Sequence, residues 1–269
     1  MSIEEILSLS SKKLASVSLR PRLESEILLA HFLGKDRIYL HLNNRQIIDE
    51  EPFFELIKLR EQHIPIEYIT KKVSFYSEDF YCDFGVLIPR PESEILVDIA
   101  SDLITKYKLK DILEIGVGSG VISAMLKIKH HDINMVASDI SEQALKIAKR
   151  NFELKNLDII AIKSDLFEDI EDTYDIVISN PPYIKNSFQI DKNLTYEPQN
   201  ALFGGESGEE IILKIIDGCM DRGVRYLVCE MGYDQRDVIS QYLELKGIYN
   251  YNFYKDLGDL DRGFWVNFF

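Results

Sequence analysis

The strongest constraint on the fold is the alternation of short apolar strands with amphipathic helical patterns that begins at Asp111. The β-branched runs Ile112–Ile115 and Ile176–Ser179 are typical of strands buried on both faces. Strands that alternate with helices predict a doubly wound, Rossmann-like α/β sheet. Two further β-prone runs near the end of the chain, Tyr249–Tyr254 and Phe264–Phe269, have no helical pattern between them. They predict an antiparallel C-terminal hairpin.

A glycine-rich loop follows the first strand and predicts a ligand near the backbone. Glycine at alternate positions lets the main chain approach a ligand where a Cβ atom would collide. The G-x-G-x-G spacing differs from the G-x-G-x-x-G of dinucleotide-binding enzymes. We therefore predict a cofactor loop formed by Gly116, Val117, Gly118, Ser119 and Gly120.

Carboxylates follow the next two strands. Asp139 lies 19 residues after Gly120, which suits a side chain that accepts hydrogen bonds from both hydroxyls of a ribose. Asp165 and Leu166 follow the third strand, where a carboxylate can pair with an adenine amino group and an apolar side chain can cover the ring. Taken alone, a solvated aspartate after a strand is as good an interpretation of Asp165.

The fourth strand ends in the sequence Asn180-Pro181-Pro182-Tyr183. Prolines have a fixed φ and no N–H, so little local structure can satisfy the Pro181 carbonyl. The Asn180 side chain adds a second acceptor and Tyr183 adds a flat ring. Two acceptors and a ring suit a planar NH2 group. Because open α/β sheets bind ligands at the carboxyl ends of their strands, all four features are predicted to meet in one site.

The chain before this region has a different character. Helical spacing predicts helices from Ser2 to about Ala15, from about Arg22 to Leu33, and from about Glu51 to Gln62. An aromatic, β-prone stretch at 73–84 predicts a hairpin, and Pro91 suits the first turn of the helix that follows it. We predict an all-α substrate-docking domain at 1–72, a hairpin linker at 73–84 and a catalytic domain at 85–269.

Charge and composition limit the classes of partner. The net charge is −14, whereas residues 1–72 carry eleven acidic and eleven basic side chains, so the excess lies in the rest of the chain. An acidic surface repels phosphate backbones and favours a small molecule or a basic protein, so no direct nucleic-acid contact is expected. No apolar run approaches the length of a membrane span. The N-terminus is acidic where a signal peptide would be basic, and we expect a cytoplasmic protein.

The cysteines and histidines give no sign of a metal site. The three cysteines, Cys82, Cys219 and Cys229, include no C-x-x-C pair, and the five histidines show no ligand spacing. We expect reduced core thiols and no metal.

These motifs together resemble a known family. The Gly116–Gly120 loop, Asp139 and Asn180–Tyr183 resemble class I methyltransferases that use S-adenosylmethionine and act on a planar nitrogen. The segments Ile88–Glu94 and Tyr196–Pro198, Gly204-Gly205, and Asp256 with Asp261-Arg262 narrow the likeness to the peptide chain release factor N5-glutamine methyltransferases, the HemK family. The likeness covers nearly the whole chain. It implies a seven-stranded methyltransferase sheet and transfer of a methyl group to the glutamine of the Gly-Gly-Gln loop of class-1 release factors, leaving S-adenosylhomocysteine.

The resemblance also implies roles for individual residues. Asn180, Pro181 and Tyr183 are predicted to be catalytic, and Asn180 also to contact the cofactor. The predicted substrate site is formed by Asn180, Pro181, Pro182, Tyr183, Arg90 and Glu197. This sequence departs from the family pattern in two places: Ser93 stands where threonine is usual, and Thr70-Lys71 where a glycine is expected. The second departure concerns the geometry between the domains.

Three alternatives share part of this pattern. A methyltransferase of nucleic-acid amino groups needs a similar Asn-Pro-Pro clamp, but the acidic balance of the chain disfavours it. A sister enzyme that methylates a ribosomal-protein glutamine is nearer, although Pro91 and Tyr196–Leu202 fit the release-factor branch better. An adaptor with an inactive methyltransferase fold is disfavoured by the intact Gly116–Gly120 and Asn180–Tyr183 motifs.

Overall fold

The structure is a computed structural model that describes all residues from Met1 to Phe269. By contacts the chain forms two units. One, called here the helical unit, comprises Met1–Lys72 and Asp191–Tyr196. The other, called the α/β unit, comprises Val73–Ile190 and Glu197–Phe269.

The helical unit contains five α-helices around its own apolar core. They are α1 (Ile3–Leu14), α2 (Pro21–Leu33), α3 (Arg37–Leu42), α4 (Glu51–Glu61) and α5 (Ile66–Thr70). Ser2 and Glu5 form the predicted capping box at the start of α1, and Gly34 ends α2 in a left-handed conformation with φ of 61°. The sequence did not predict α3 and α5, because helices of six and five residues are too short to show a periodic pattern.

A segment distant in sequence belongs to the helical unit. The guanidinium of Arg60 donates to the Glu24 carboxylate at 2.8 Å and to the Asn193 side-chain oxygen at 3.3 Å. The Tyr196 hydroxyl donates to the Gln62 carbonyl at 2.7 Å. The bonds at Asn193 and Tyr196 hold the 3-10 helix Lys192–Tyr196 to the C-terminal end of α4.

A two-stranded sheet of β1 (Lys72–Phe75) and β2 (Glu78–Tyr81) stands at the start of the α/β unit, and only its first residue, Lys72, is grouped with the helical unit. Tyr76 and Ser77 connect the strands, and both have positive φ, at 54° and 59°. Two such residues form the turn whose twist matches that of paired strands. The segment therefore forms the predicted pair of strands.

The main sheet has seven strands, and helices connect most of them. Its strands are β3 (Asp111–Ile115), β4 (Asn134–Asp139), β5 (Ile160–Lys163), β6 (Ile176–Ser179), β9 (Tyr226–Glu230), β10 (Tyr251–Lys255) and β11 (Asp261–Asn267); β7 (Ile184–Lys185) and β8 (Phe203–Gly205) pair separately. The helices are α6 (Ser93–Tyr107), α7 (Val121–Lys129), α8 (Glu142–Leu154), α9 (Glu210–Asp221) and α10 (Arg236–Leu245), with 3-10 turns at Lys192–Tyr196 and Gln199–Ala201. None of the helices is both long enough and apolar enough to cross a membrane.

The strand order creates a binding crevice. The order is β10-β11-β9-β6-β3-β4-β5, so the chain progresses to one side of β3 through β4 and to the other side through β6. Ile115 pairs with Ser138 of β4 and with Ser179 of β6. The residues that follow these positions, Gly116, Asp139 and Asn180, therefore emerge side by side at the switch point, where open sheets bind ligands.

The predicted C-terminal hairpin is confirmed. β10 pairs with β11 in antiparallel register, and β11 pairs antiparallel with β9. The remaining neighbours in the main sheet are parallel. The fold class predicted from the sequence is thus the one observed.

The prediction for Pro91 was wrong in detail. Helix α6 begins at Ser93, with Glu92 as its N-cap, and Pro91 lies in the preceding turn. There the Ser93 N–H donates to the Arg90 carbonyl at 3.1 Å, and the Glu94 N–H to that of Pro91 at 3.1 Å. These bonds between residues three apart tighten the chain before regular α-helix begins.

The three cysteines lie in the interior, and none forms a disulfide. Burial raises the pKa of the Cys219 thiol and of the Cys229 thiol well above the ordinary value. Both thiols therefore stay protonated and behave as small apolar side chains.

Candidate active site

A cavity of about 370 Å³ opens at the carboxyl ends of the central strands. Its size and largely apolar lining are those of a small-molecule site. Most of the residues predicted for the cofactor and the substrate line it: Gly116, Val117, Gly118, Ser119, Asp139, Asp165, Leu166, Asn180, Pro181 and Pro182. Gly120, Tyr183, Arg90 and Glu197 are not among its lining residues.

The glycine-rich loop and Asp139 are hydrogen-bonded to each other. The Gly118 N–H donates to one carboxylate oxygen of Asp139 at 2.9 Å, and the Ser141 N–H donates to the other at 2.9 Å. Gly118 has a φ of 53°, a conformation that suits glycine. Burial raises the pKa of the Asp139 carboxyl, although the two N–H groups act in the opposite direction. The carboxylate is thereby oriented at the cavity wall before any ligand binds.

Glu114 is a cavity residue that sequence reasoning missed. It lies on β3, is 1% exposed, and accepts hydrogen bonds from the N–H of Ser123, at 2.9 Å, and from its hydroxyl through Oε2. Its Oε1 is buried and has no partner in the chain. Burial raises the pKa of the Glu114 carboxyl to about 8. The available signal was an acidic residue within the otherwise apolar strand Ile112–Ile115.

A chain of three polar side chains holds Asn180. Its Nδ2 donates to the Ser93 hydroxyl oxygen at 3.0 Å, and that hydroxyl donates to Oε2 of Glu230 at 2.5 Å. Neither the side-chain oxygen of Asn180 nor the Pro181 carbonyl accepts a hydrogen bond from the chain. No site role was predicted for Ser93 or Glu230. The available signals were the position of Ser93 in the segment Ile88–Glu94, which carries the family resemblance, and a glutamate at the end of the apolar strand Tyr226–Cys229.

The backbone after Asn180 is held by a second glycine pair. A Cβ atom on Gly204 would lie 2.4 Å from the Pro182 carbonyl oxygen, so only glycine fits beside this turn. The Ile184 N–H donates to the Leu202 carbonyl at 2.9 Å, and the side chain of Gln235 donates to the Tyr183 carbonyl at 3.1 Å. The turn is thus fixed from two directions.

The remaining predicted residues have other surroundings. The Tyr183 ring packs against the apolar core, and burial raises the pKa of its phenol. Gly120 begins α7 with a φ of 85°, and a Cβ there would lie 2.8 Å from the Phe152 ring. Arg90 and Glu197 bind each other at 2.5 Å, and Glu197 also accepts from the Ile88 N–H at 2.9 Å. This pair ties the segment before α6 to the segment before β8.

The structure contains no cluster of side chains that could bind a metal ion. No set of three or more His, Cys, Asp or Glu side chains is arranged to hold a metal ion.

Two family models match the chain. Residues 5–70 match the PrmC N-terminal domain, and residues 93–205 match the methyltransferase small domain. The second match spans β3 to β8 and thus contains the glycine-rich loop, Asp139 and the Asn180 turn.

The chain is also similar to whole curated proteins and to solved structures. A release factor glutamine methyltransferase of Clostridium acetobutylicum is 36% identical over 89% of this chain and 88% of its own length. One from Buchnera aphidicola subsp. Schizaphis graminum is 34% identical over 97% of this chain and 98% of its own. The N-terminal domain of human METTL16 in complex with SAH shares the fold, with a TM-score of 0.52 and 19% identity over 85% of this chain and 87% of that one.

The two curated relatives match across both units, at 36% and 34% identity, which defines a family; the METTL16 structure shows the fold alone. The methyltransferase domain and the relatives of matching length show an enzyme that uses S-adenosylmethionine. The chain therefore belongs to the release factor glutamine methyltransferase family.

Proposed function

We propose that this enzyme methylates the side-chain amide nitrogen of the glutamine in the Gly-Gly-Gln loop of class-1 peptide chain release factors. The observation that carries the proposal is the pair of acceptors at Asn180 and Pro181. Both residues line the cavity, and neither the Asn180 side-chain oxygen nor the Pro181 carbonyl is used within the chain. A primary amide carries two N–H donors, so these acceptors match it in number and kind.

The residues of the cavity fit S-adenosylmethionine. The Asp139 carboxylate, fixed by two loop N–H groups, suits the ribose hydroxyls. The orphaned Oε1 of Glu114 suits the ammonium of the methionine moiety, because a buried carboxylate oxygen needs a donor. Leu166 suits the face of the adenine and Asp165 its amino group. The bound cofactor supplies an activated methyl group on a sulfonium and leaves as S-adenosylhomocysteine.

The task of the protein is to position a poor nucleophile. The lone pair of an amide nitrogen is delocalised into its carbonyl, so the nitrogen reacts only when it is well aligned. The Asn180 oxygen and the Pro181 carbonyl accept the two amide protons and hold the nitrogen in the cavity. Pro182 stiffens the turn, and Tyr183 anchors it to the core. No side chain needs to remove a proton before the methyl group moves, because a proton can leave after transfer.

The helical unit is proposed to dock the protein substrate, as the separate domain 1–72. Residues 5–70 match a domain model of their own and carry none of the cavity residues. We further propose that Arg90 and Glu197 shape the substrate site by holding the segments around it, since they bind each other rather than line the cavity.

Mass spectrometry of purified release factor after incubation with enzyme and S-adenosylmethionine tests the proposal. We expect one methyl group on the glutamine of the Gly-Gly-Gln loop, and none on a release factor in which that glutamine is replaced by alanine. Ribosomal proteins, DNA and RNA incubated in parallel serve as competing substrates. Methylation of one of them, with the release factor left unmodified, would contradict the proposal.

A further inference from the structure

We propose that Ser93 and Glu230 are positioning residues that fix the Asn180 amide with its oxygen towards the cavity. The proposal rests on the proposed function, because it concerns how the glutamine amide is recognised. It is carried by two hydrogen bonds between residues far apart in sequence, Asn180 to Ser93 and Ser93 to Glu230.

The donor and acceptor directions in this hydrogen-bond chain determine which end of the Asn180 amide binds Ser93 and which end is left for a ligand. A carboxylate of Glu230 can only accept, so the Ser93 hydroxyl must donate its one proton to it. The Ser93 oxygen then has only acceptor capacity left for Asn180. Only the NH2 end of the Asn180 amide can satisfy that acceptor, so the carbonyl end is the one left for a ligand. An amide turned the other way would offer donors to the substrate NH2 and repel it.

The fold brings these three residues together at one level of the sheet. Ser179 pairs with Cys229, so Asn180 and Glu230 follow at neighbouring strand ends. Ser93, the first residue of α6, is 2% exposed, and Glu230 is 1% exposed. The hydrogen bond between the two buried members, Ser93 and Glu230, is strengthened by the low local dielectric and gives Asn180 a fixed partner.

The titration of Glu230 gives the arrangement a pH dependence. Burial raises the pKa of the Glu230 carboxyl to about 7, although Ser93, Arg262 and Arg90 act in the opposite direction, and Glu92 raises it further. Below this pKa the protonated carboxyl can donate to the Ser93 oxygen. The hydroxyl proton of Ser93 is then free to point at Asn180, and the amide loses its fixed orientation. Methyl transfer should therefore rise with pH through about 7.

The other titratable groups that face Glu230 do not lose a proton near pH 7, so they cannot cause the expected rise of the methyl-transfer rate. They are Tyr183, Tyr254 and Cys229, and the pKa of each is raised above its ordinary value, so each keeps its proton near pH 7. Glu114, with a pKa of about 8, lies in the cofactor part of the cavity. At saturating S-adenosylmethionine, a change in cofactor affinity caused by titration of Glu114 has little effect on the measured rate.

The test measures single-turnover methyl transfer to release factor, together with cofactor affinity, for Ser93→Ala, Ser93→Thr and Glu230→Gln. We expect Ser93→Ala to lower the transfer rate about tenfold, as loss of an orienting outer partner does elsewhere. Ser93→Thr keeps the hydroxyl and should restore the rate, while cofactor affinity stays near that of the wild type in all three. Glu230→Gln should remove the rise of the rate near pH 7. Ser101→Ala is the matched control, since Ser101 lies on the same helix and binds His130.

The outcomes separate this inference from the proposed function. A wild type that leaves release factor unmethylated overturns the proposed function and this inference with it. A wild type that methylates release factor, with Ser93→Ala equally fast, overturns the inference alone. If Ser93→Ala does not fold, the wild-type pH profile decides: a rise through about 7 that Glu230→Gln removes supports the inference, and a flat profile overturns it.

Discussion

Three buried glutamates, Glu26 in the helical unit and Glu114 and Glu230 in the α/β unit, show opposite shifts of their carboxyl pKa. In the helical unit, Glu26 is 5% exposed and accepts hydrogen bonds from Arg22 at 3.0 Å and from Arg37 at 2.9 Å. Burial acts to raise the pKa of its carboxyl, but the two arginines outweigh it and lower the pKa. In the α/β unit, no partner of Glu114 or Glu230 outweighs the effect of burial, and their pKa values rise to about 8 and about 7.

A structural acid can therefore be told from a functional one by its partners and its pKa. Removing one member of a buried ion pair leaves the other charge unpaired, so Glu26 is tied to the fold by its arginines. Glu114 instead lines the cavity and has a buried oxygen without a partner, so it is ready for a ligand or a proton. On this criterion the chemistry belongs to the α/β unit, whose residues line the cavity, and docking is the role proposed for the helical unit.

The largest effect is expected from removing the helical part of the chain. Deletion of residues 1–72 should abolish methylation of intact release factor, because the docking surface is lost, while S-adenosylmethionine still binds to the α/β unit. Calorimetry measures cofactor binding by the truncated enzyme, and a methylation assay measures its activity on intact release factor. Full activity of the truncated enzyme on the whole protein substrate would refute the docking role.

The next effect concerns the cofactor. Asp139→Ala should weaken S-adenosylmethionine binding by about 1.5–3 kcal/mol, because hydrogen bonds to a charged acceptor are lost. This corresponds to a factor of about 10 to 150 in affinity. Calorimetry measures it, and circular dichroism verifies that the variant is folded. An unchanged affinity in a folded variant would mean that Asp139 only orders the glycine-rich loop.

A matched pair of substitutions tests the contrast between the acids directly. Glu26→Gln should destabilise the protein by about 1–2 kcal/mol near pH 7, because two charged partners lose a carboxylate. The folded-state pKa of Glu26 is lowered, so this contribution is present above the ordinary value of 4.5 and is lost as the pH falls through the folded-state pKa. Cofactor affinity should not change. Thermal melts across pH would show the effect shrinking towards acid.

Glu114→Gln should have the opposite effect on stability near pH 7 and should weaken cofactor binding. The folded-state pKa of Glu114 is raised from 4.5 to about 8, so its favourable contribution is present below 4.5 and is lost as the pH rises through about 8. The variant cannot ionise and should gain stability over the wild type as the pH rises across this window, while binding the cofactor less tightly. If the stabilities of Glu26→Gln and Glu114→Gln changed with pH in the same way, the contrast between the two buried glutamates would be wrong.

The smallest effect is expected at helix ends. Helix α2 ends at Gly34 and α6 ends at Lys108, and both residues are left-handed, with φ of 61° and 55°. A lysine pays a steric cost there that glycine does not. Lys108→Gly should stabilise the protein by about 0.5–1 kcal/mol, and Gly34→Ala should destabilise it by a similar amount. Denaturant unfolding measures both, and a loss of stability in Lys108→Gly would contradict the strain argument.

Local patterns made most of the fold and half of the site predictable. The Ser2–Glu5 capping box, the cap at Gly34 and the strand ends at Gly116, Asp139 and Asn180 are written in short stretches of sequence. Contacts between distant residues are not. Ser93 lies 87 residues from Asn180 and 137 from Glu230, and no periodicity connects such positions. For the same reason the mutual pairing of Arg90 with Glu197, 107 residues apart, could not be foreseen.

Single-turnover kinetics of Asn180→Ala with release factor measure what the Asn180 side chain contributes to methyl transfer. We expect the methyl-transfer rate to fall on the order of 100-fold or more, as on loss of a preorganised polar contact, while cofactor affinity changes little. Asn180→Asp should also be slow, because a carboxylate stabilises the positively charged cofactor before transfer. A rate near that of the wild type for Asn180→Ala would contradict the account and leave the Asn-Pro-Pro turn a purely structural feature.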